Sequence, residues 1–227
     1  MTQQTGTATL AEDLLLVLFQ PDSATIAGEN TLFYTLGGAV LADLALGGHV
    51  RHDQRTTQVE AVTGNPPSDD ILRSAWDYTA EKPRGVQTVL AAVGPRLRGP
   101  LLDRLVERGD LRRTRRKTLG LFTTTVLEDG GNGRRSRLVE EIRRVLVDGG
   151  QPQPRVAALA ALLSGSGTLP QFSREIPWTT PVITRAGQLQ RGDWGADAAA
   201  AAVTRTITAS IISTVLAATA VAPGNGE

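Results

Sequence analysis

Apolar residues recur along this chain at helical spacing more often than at strand spacing. Thr9 to Phe19, TLAEDLLLVLF, predicts a helix with Thr9 as N-cap and Glu12, three residues on, as the acid of a capping box; Pro21 lies beyond its end. Thr35 to Val50, TLGGAVLADLALGGHV, predicts another. Leu36, Val40 and Leu44 recur at i, i+4 and i+8 with Ala39 and Leu41 beside them, and Asp43 is the only charge. That helix is too short to span a membrane and belongs in a core. Gly47 and Gly48 supply its stop, and VRHDQRTTQVEAV alternates enough for a strand or a hairpin turning near Gln54 to Thr57.

GNPPSDD then breaks the chain, and Asp69 and Asp70 start a helix through DILRSAWDYTAE. Further helices run through GVQTVLAAVG and PLLDRLVERGDL. In the latter, Leu105, Gly109 and Leu111 repeat the spacing of Leu44, Gly48 and Val50, which predicts two helix, glycine, strand units. RRTRRKTLGLFTTTVL is rich in Thr, Leu and Val and reads as a β-hairpin arm or strand, with EDGGNG as its flexible turn. RRSRLVEEIRRVLVDGG predicts an amphipathic helix with Leu138, Ile142 and Leu146 on one side, closed by Gly149 and Gly150; PRVAALAALLSGSGTL is another helix. A Pro-containing loop at 170–181 leads to a long, nearly all-apolar C-terminal helix. Within it Thr206 to Ala222 is uncharged and carries several Ser and Thr, so it is expected to be buried rather than membrane-spanning. The pattern predicts a mainly α fold: one compact helical domain at 9–222 around the apolar C-terminal helix, with short strands, one β-hairpin, a flexible leader at 1–8 and a flexible tail at 223–227.

Composition narrows the class. The chain has 227 residues, 41% hydrophobic and 21% charged, which excludes a disordered protein and supports a real core. It has no cysteine, hence no disulfide and no thiolate metal site. No basic residue precedes the first apolar run, which includes Glu12 and Asp13, so a signal peptide is not expected, and the expected location is cytoplasmic. The net charge is only +1, but Arg96 to Arg144 hold fourteen Arg or Lys against seven Asp or Glu, a local +7 that leaves −6 elsewhere. Such asymmetry points to an anionic partner, whether lipid surface, nucleic acid or acidic protein.

Catalytic patterns are scarce. His49 and His52, the only histidines, would face opposite sides of a strand, so a metal pair is not expected. The acid pairs Glu12-Asp13, Asp69-Asp70 and Glu140-Glu141 point in different directions on helices and suit dipole or solvated roles. Gly37-Gly38 lies within a helix and no GK[ST] follows, so a nucleotide-phosphate loop is not indicated. The reading is a protein without catalysis, cofactor or metal.

TLAEDLLLVLF, LGGAVLADLALGGHV, LRGPLLDRLVERGDL, the glycine-rich turn and RRSRLVEEIRRVL together resemble the Golgi phosphoprotein 3 family, and specifically its shorter bacterial-type members. The resemblance implies a mostly helical domain with a protruding β-hairpin, peripheral membrane attachment through phosphatidylinositol 4-phosphate, and adaptor or scaffold work on cytoplasmic tails of membrane proteins. It implies no catalysis. The family's phosphate pocket uses a Trp before the signature helix, an Arg early in that helix and basic residues at the start of the later LVERG helix. Aligned without gaps, these fall at Gly28, Gly37 and Pro95, with only Arg98 matching.

The lipid phosphate site expected here is therefore Arg96 with Arg98, flanked by Pro95 and Pro100 at a helix entrance, where paired guanidinium donors and backbone N–H groups favour phosphate. Phe33, Tyr34, Arg112, Arg113, Arg115 and Arg116 are expected as accessory membrane contacts. Leu119, Leu121 and Phe122 on the hairpin are expected to drive homo-oligomerisation. The alternative is a winged-helix type nucleic-acid-binding module using the basic 96–144 segment. AVLADLALGG, however, carries no basic residue and RLVEEIRRVL balances its charge with acids, unlike a recognition helix.

Overall fold

The Thr9 hydroxyl accepts the Glu12 N–H at 3.2 Å while Glu12 Oε2 accepts the Thr9 N–H at 2.8 Å, so the capping box closes from both sides and the first helix begins at Leu10. The computed structural model describes residues 6–53, 58–118 and 122–192. In chain order, α1 (Leu10–Leu18) leads into a short ribbon of β1 (Phe19–Gln20) and β2 (Thr25–Ile26), a 3-10 turn at Glu29–Thr31 and α2 (Leu32–Leu46). A hairpin of β3 (Val50–Asp53) and β4 (Gln58–Ala61) follows, then α3 (Asp70–Ala80), the short β5 (Arg84–Gly85) and α4 (Val86–Val93). A 3-10 turn at Gly94–Arg96 feeds α5 (Arg98–Glu107). The long hairpin β6 (Leu111–Thr118) and β7 (Phe122–Asp129) leads to α6 (Arg134–Leu146), α7 (Pro154–Gly165) and α8 (Thr180–Gln190). The fold is mainly α, with three small antiparallel sheets among the described residues.

Three helices hold the interior. Every residue of α1 is buried, α2 buries eleven of its fifteen and α7 eight of its twelve, which is how a helix apolar on nearly all sides must sit. They pack on one another, and α3 to α6 and α8 lie around them on single apolar faces. Each fully buried Leu of this core, such as Leu14, Leu41 or Leu162, contributes about 1.5–3 kcal/mol through apolar burial. The expected C-terminal hub, Thr206 to Ala222, lies outside the described residues; among the described ones, α1, α2 and α7 take that place.

The repeated helix, glycine, strand unit is present twice. At the end of α2 the His49 N–H reaches Leu44 O (2.8 Å) and the Gly48 N–H reaches Ala45 O (3.0 Å), with Gly48 at φ +66°. At the end of α5 the Asp110 N–H reaches Leu105 O (2.9 Å) and the Gly109 N–H reaches Val106 O (3.0 Å), with Gly109 at φ +72°. Both are Schellman stops, and the left-handed residue is what glycine supplies.

The structure corrects the sequence reading at three points. EDGGNG is not the hairpin turn. Pairing runs from Leu111 opposite Asp129 to Thr118 opposite Phe122, so EDGGNG lies at the far end of β7 from the last described pair. Glu128 and Asp129 end β7, and Gly130 lies against the base of the hairpin, where its N–H donates to Asp110 O at 2.8 Å and a Cβ on it would overlap the Gly109 carbonyl. The buried face of α6 is Val139, Ile142, Val145 and Leu146, with Leu138 half-buried beside it. Finally, α8 begins within the stretch read as a Pro-containing loop at 170–181 and runs on through residues to which the pattern assigns no element; Val182, Ala186 and Leu189 recur at i, i+4 and i+7 and are buried, although Pro181, Thr184 and Gly187 dilute the pattern.

Candidate functional site

The 3-10 turn Gly94–Arg96 presses against the first turn of α2 so closely that a Cβ on Gly94 would overlap the Phe33 carbonyl. This approach brings two distant stretches together: Phe33 and Tyr34, whose rings stack with centroids 4.0 Å apart, and Arg96 and Arg98 at the start of α5. Both arginines are exposed and both aromatic rings are half-buried. Arg98 pairs with Glu29 of the 3-10 turn before α2, Nε to Oε1 at 2.7 Å. Arg96 lines a cleft of about 790 Å³ between α3 and the start of α5, and has no ion pair with another described residue. The three carboxylates in that cleft are each answered by an arginine: Asp70 by Arg104, Asp77 by Arg73 and Glu81 by Arg84.

The helix entrance itself differs from a free N-terminus. Leu97, the residue before α5, is already helical, and the Leu97 and Leu101 N–H groups donate to Gly94 O and Leu97 O. Backbone donors at this corner are thus partly used, and the side chains carry the available positive charge.

The hairpin divides into two halves. Near its base, Arg112 pairs with Glu128 (3.0 Å) and Arg113 with Asp103 of α5 (2.6 Å). Further out, Arg115 and Arg116 stand in register with Thr125 and Thr124, which bring no charge. Leu119 and Leu121 lie outside the described residues, and Phe122 opens β7 opposite Thr118.

A family model described as Golgi phosphoprotein 3 (GPP34) matches residues 10–206, nearly the whole helical chain. The chain belongs to the Golgi phosphoprotein 3 family. No curated protein matches it. Gly28 and Gly37, where the resemblance would set the family's pocket Trp and helix Arg, are closed by packing. Gly28 sits at φ +69° with Thr168 Cγ2 2.6 Å from where a Cβ would stand, and Gly37 is buried with the Leu90 side chain 3.3 Å from its missing Cβ. Neither site has room for a large side chain without moving a neighbour.

A second polar assembly escapes sequence reasoning. Glu12 and Asp13, expected in dipole or solvated roles, are buried, and each meets two arginines. Glu12 Oε1 accepts from Arg108 Nε at 2.8 Å and its Oε2 lies 3.5 Å from Arg104; Asp13 accepts from Arg155 at 2.6 Å and from Arg134. Arg134 also binds Asp110, whose other oxygen takes the Asn132 amide at 2.6 Å. Arg155 reaches Ala8 O (2.7 Å) and Asp43 (3.2 Å), and Asp43 in turn accepts the Leu10 N–H at 2.6 Å.

Burial pushes the Asp43 carboxyl above the ordinary carboxylate range, against the pull of the Leu10 N–H and Arg155. Burial also works against the Arg104 charge, but Asp69, Asp70 and Glu12 outweigh it and hold that guanidinium above its usual value. For Arg135 the balance is reversed, and burial lowers it despite Glu175, Asp129 and Asp22. This network lines a cleft of about 830 Å³ over which residues 6–9 run. His49 stands at its rim, ahead of β3 rather than on it, with Nδ1 2.9 Å from Asn65 O. Among the described residues no group of three or more His, Asp or Glu is placed to hold a metal ion, and no helix is long and apolar enough to cross a membrane.

Proposed function

We propose that this chain is a non-catalytic peripheral membrane protein that binds anionic phospholipid headgroups of the phosphatidylinositol 4-phosphate kind and serves as a scaffold or adaptor for cytoplasmic tails of membrane proteins. Family membership supports the class of activity. The observation that carries the reading to particular residues is the juxtaposition of Phe33 and Tyr34 with Arg96 and Arg98 at one corner of the fold. Exposed guanidinium groups bind phosphate through two donors at once, and half-buried aromatic rings suit the headgroup layer.

With the family's Trp and helix Arg replaced by packed glycines, attraction at this corner is chiefly electrostatic. Arg115 and Arg116, in register with the uncharged Thr125 and Thr124, add diffuse attraction of about 1 kcal/mol each near an anionic surface. Binding is therefore salt-sensitive, with modest headgroup selectivity. Self-association through Leu119, Leu121 and Phe122 is part of the same proposal.

The reading is tested by sedimenting the protein with vesicles of phosphatidylcholine alone, with phosphatidylserine, and with phosphatidylinositol 4-phosphate, beside a gel shift with duplex DNA and with RNA at the same salt. The expected result is binding to both anionic vesicles, lost by moderate salt, and none to neutral vesicles. A nucleic-acid shift without vesicle binding would replace this reading with the winged-helix type alternative.

A further inference from the structure

Arg98 is not free. Its partner Glu29 is also half exposed (50% and 51%), and the backbone beneath each is fixed. Glu29 follows Gly28, whose left-handed backbone is pinned by the Thr31 N–H and hydroxyl, both donating to Gly28 O at 3.0 and 3.3 Å. Arg98 follows the turn wedged by Gly94 against Phe33. Two half-exposed side chains on preset backbones meet at low ordering cost. The contact they make, guanidinium N–H to a carboxylate oxygen, is the one a phosphate oxygen would make. Arg96, two residues away, carries no such partner among the described residues.

We propose that Glu29 is an internal counter-anion that occupies Arg98 until a headgroup phosphate displaces it. The inference rests on the headgroup reading of Arg96 and Arg98 and adds a gate to it. Glu29 lowers the local positive potential and must be displaced before Arg98 can grip a ligand, so weakly charged surfaces engage Arg96 alone while a phosphomonoester competes for both arginines. Because exposed ion pairs are weak, removing the carboxylate strengthens binding by about two- to fivefold rather than by orders of magnitude.

The test is vesicle sedimentation at low salt with phosphatidylcholine vesicles containing phosphatidylinositol 4-phosphate, using wild type, Glu29→Gln, Arg98→Ala and Glu29→Gln/Arg98→Ala. Gln preserves the size of Glu29 without its charge. The expected result is tighter binding by Glu29→Gln than by wild type, with the gain abolished when Arg98 is absent. A gain that persists with Arg98→Ala would make Glu29 a general surface charge and overturn the gate. Equal binding by wild type and Glu29→Gln, with Arg98→Ala weaker, would overturn the gate and leave the headgroup reading intact. Equal binding by wild type and Arg98→Ala, or no binding by any of the four, would overturn both.

Discussion

Arg155 binds a backbone carbonyl and two carboxylates at once, and so ties the N-terminal turn to α1, α2 and α7. Asp43 is the member of that knot with a titration to exploit. Its folded-state carboxyl is raised by burial, so its contribution to stability is present at pH below its unfolded value and is lost as pH rises through the folded one. Asp43→Asn keeps an acceptor for the Leu10 N–H and has no such dependence. Chemical denaturation of both proteins at pH 4 and pH 7 should show the stability difference moving in favour of Asn at the higher pH. A difference that stays constant, or moves the other way, contradicts the assignment. The capping role of Glu12 is legible because Thr9 lies three residues before it; the burial of Glu12 and Asp13 is not. Arg108, Arg134 and Arg155, three of their four arginine partners, lie 96, 121 and 142 positions along the chain, beyond the reach of any local pattern.

At the level of elements, periodicity finds α1 to α7, each of which coincides with a helix read from the sequence. It fails where composition misleads. Six residues with three glycines look like a turn, but in EDGGNG glycine serves close backbone approach, at Gly130 against Gly109. Leu119 and Leu121, outside the described residues, fall between Thr118 and Phe122, the last described pair of the hairpin, and self-association through them remains the proposal. Deleting residues 119–132 would remove β7, so the better variant is Leu119→Ser/Leu121→Ser, which leaves the paired residues intact. If the tip covers a second copy, light scattering over a dilution series should show association weakened about tenfold or more, the worth of burying two Leu side chains. Identical masses for both proteins at every concentration would refute it.

Across the whole molecule, the +7 of the 96–144 segment overstates the free positive surface. Arg104, Arg108 and Arg134 are spent on Glu12, Asp13, Asp69 and Asp110, and Arg112 and Arg113 on Glu128 and Asp103. Arg98 meets Glu29 from outside the segment, which leaves Arg96 as a cation without an ion pair among the described residues at that corner. Family resemblance was legible in the sequence because its blocks keep their order, and the match over residues 10–206 agrees. The meeting of Phe33 and Tyr34 with Arg96 and Arg98 was not, since it depends on Gly94 allowing one backbone to rest on another. The central claim, that this corner binds headgroup phosphate, is tested most directly by comparing wild type with Arg96→Ala/Arg98→Ala on vesicles with and without phosphatidylinositol 4-phosphate at low salt. Loss of two phosphate-binding arginines at an exposed site should weaken binding to the phosphoinositide vesicles by about tenfold or more, at roughly 1 kcal/mol each, with no change in the stability of the protein; equal binding by the two proteins would contradict the account.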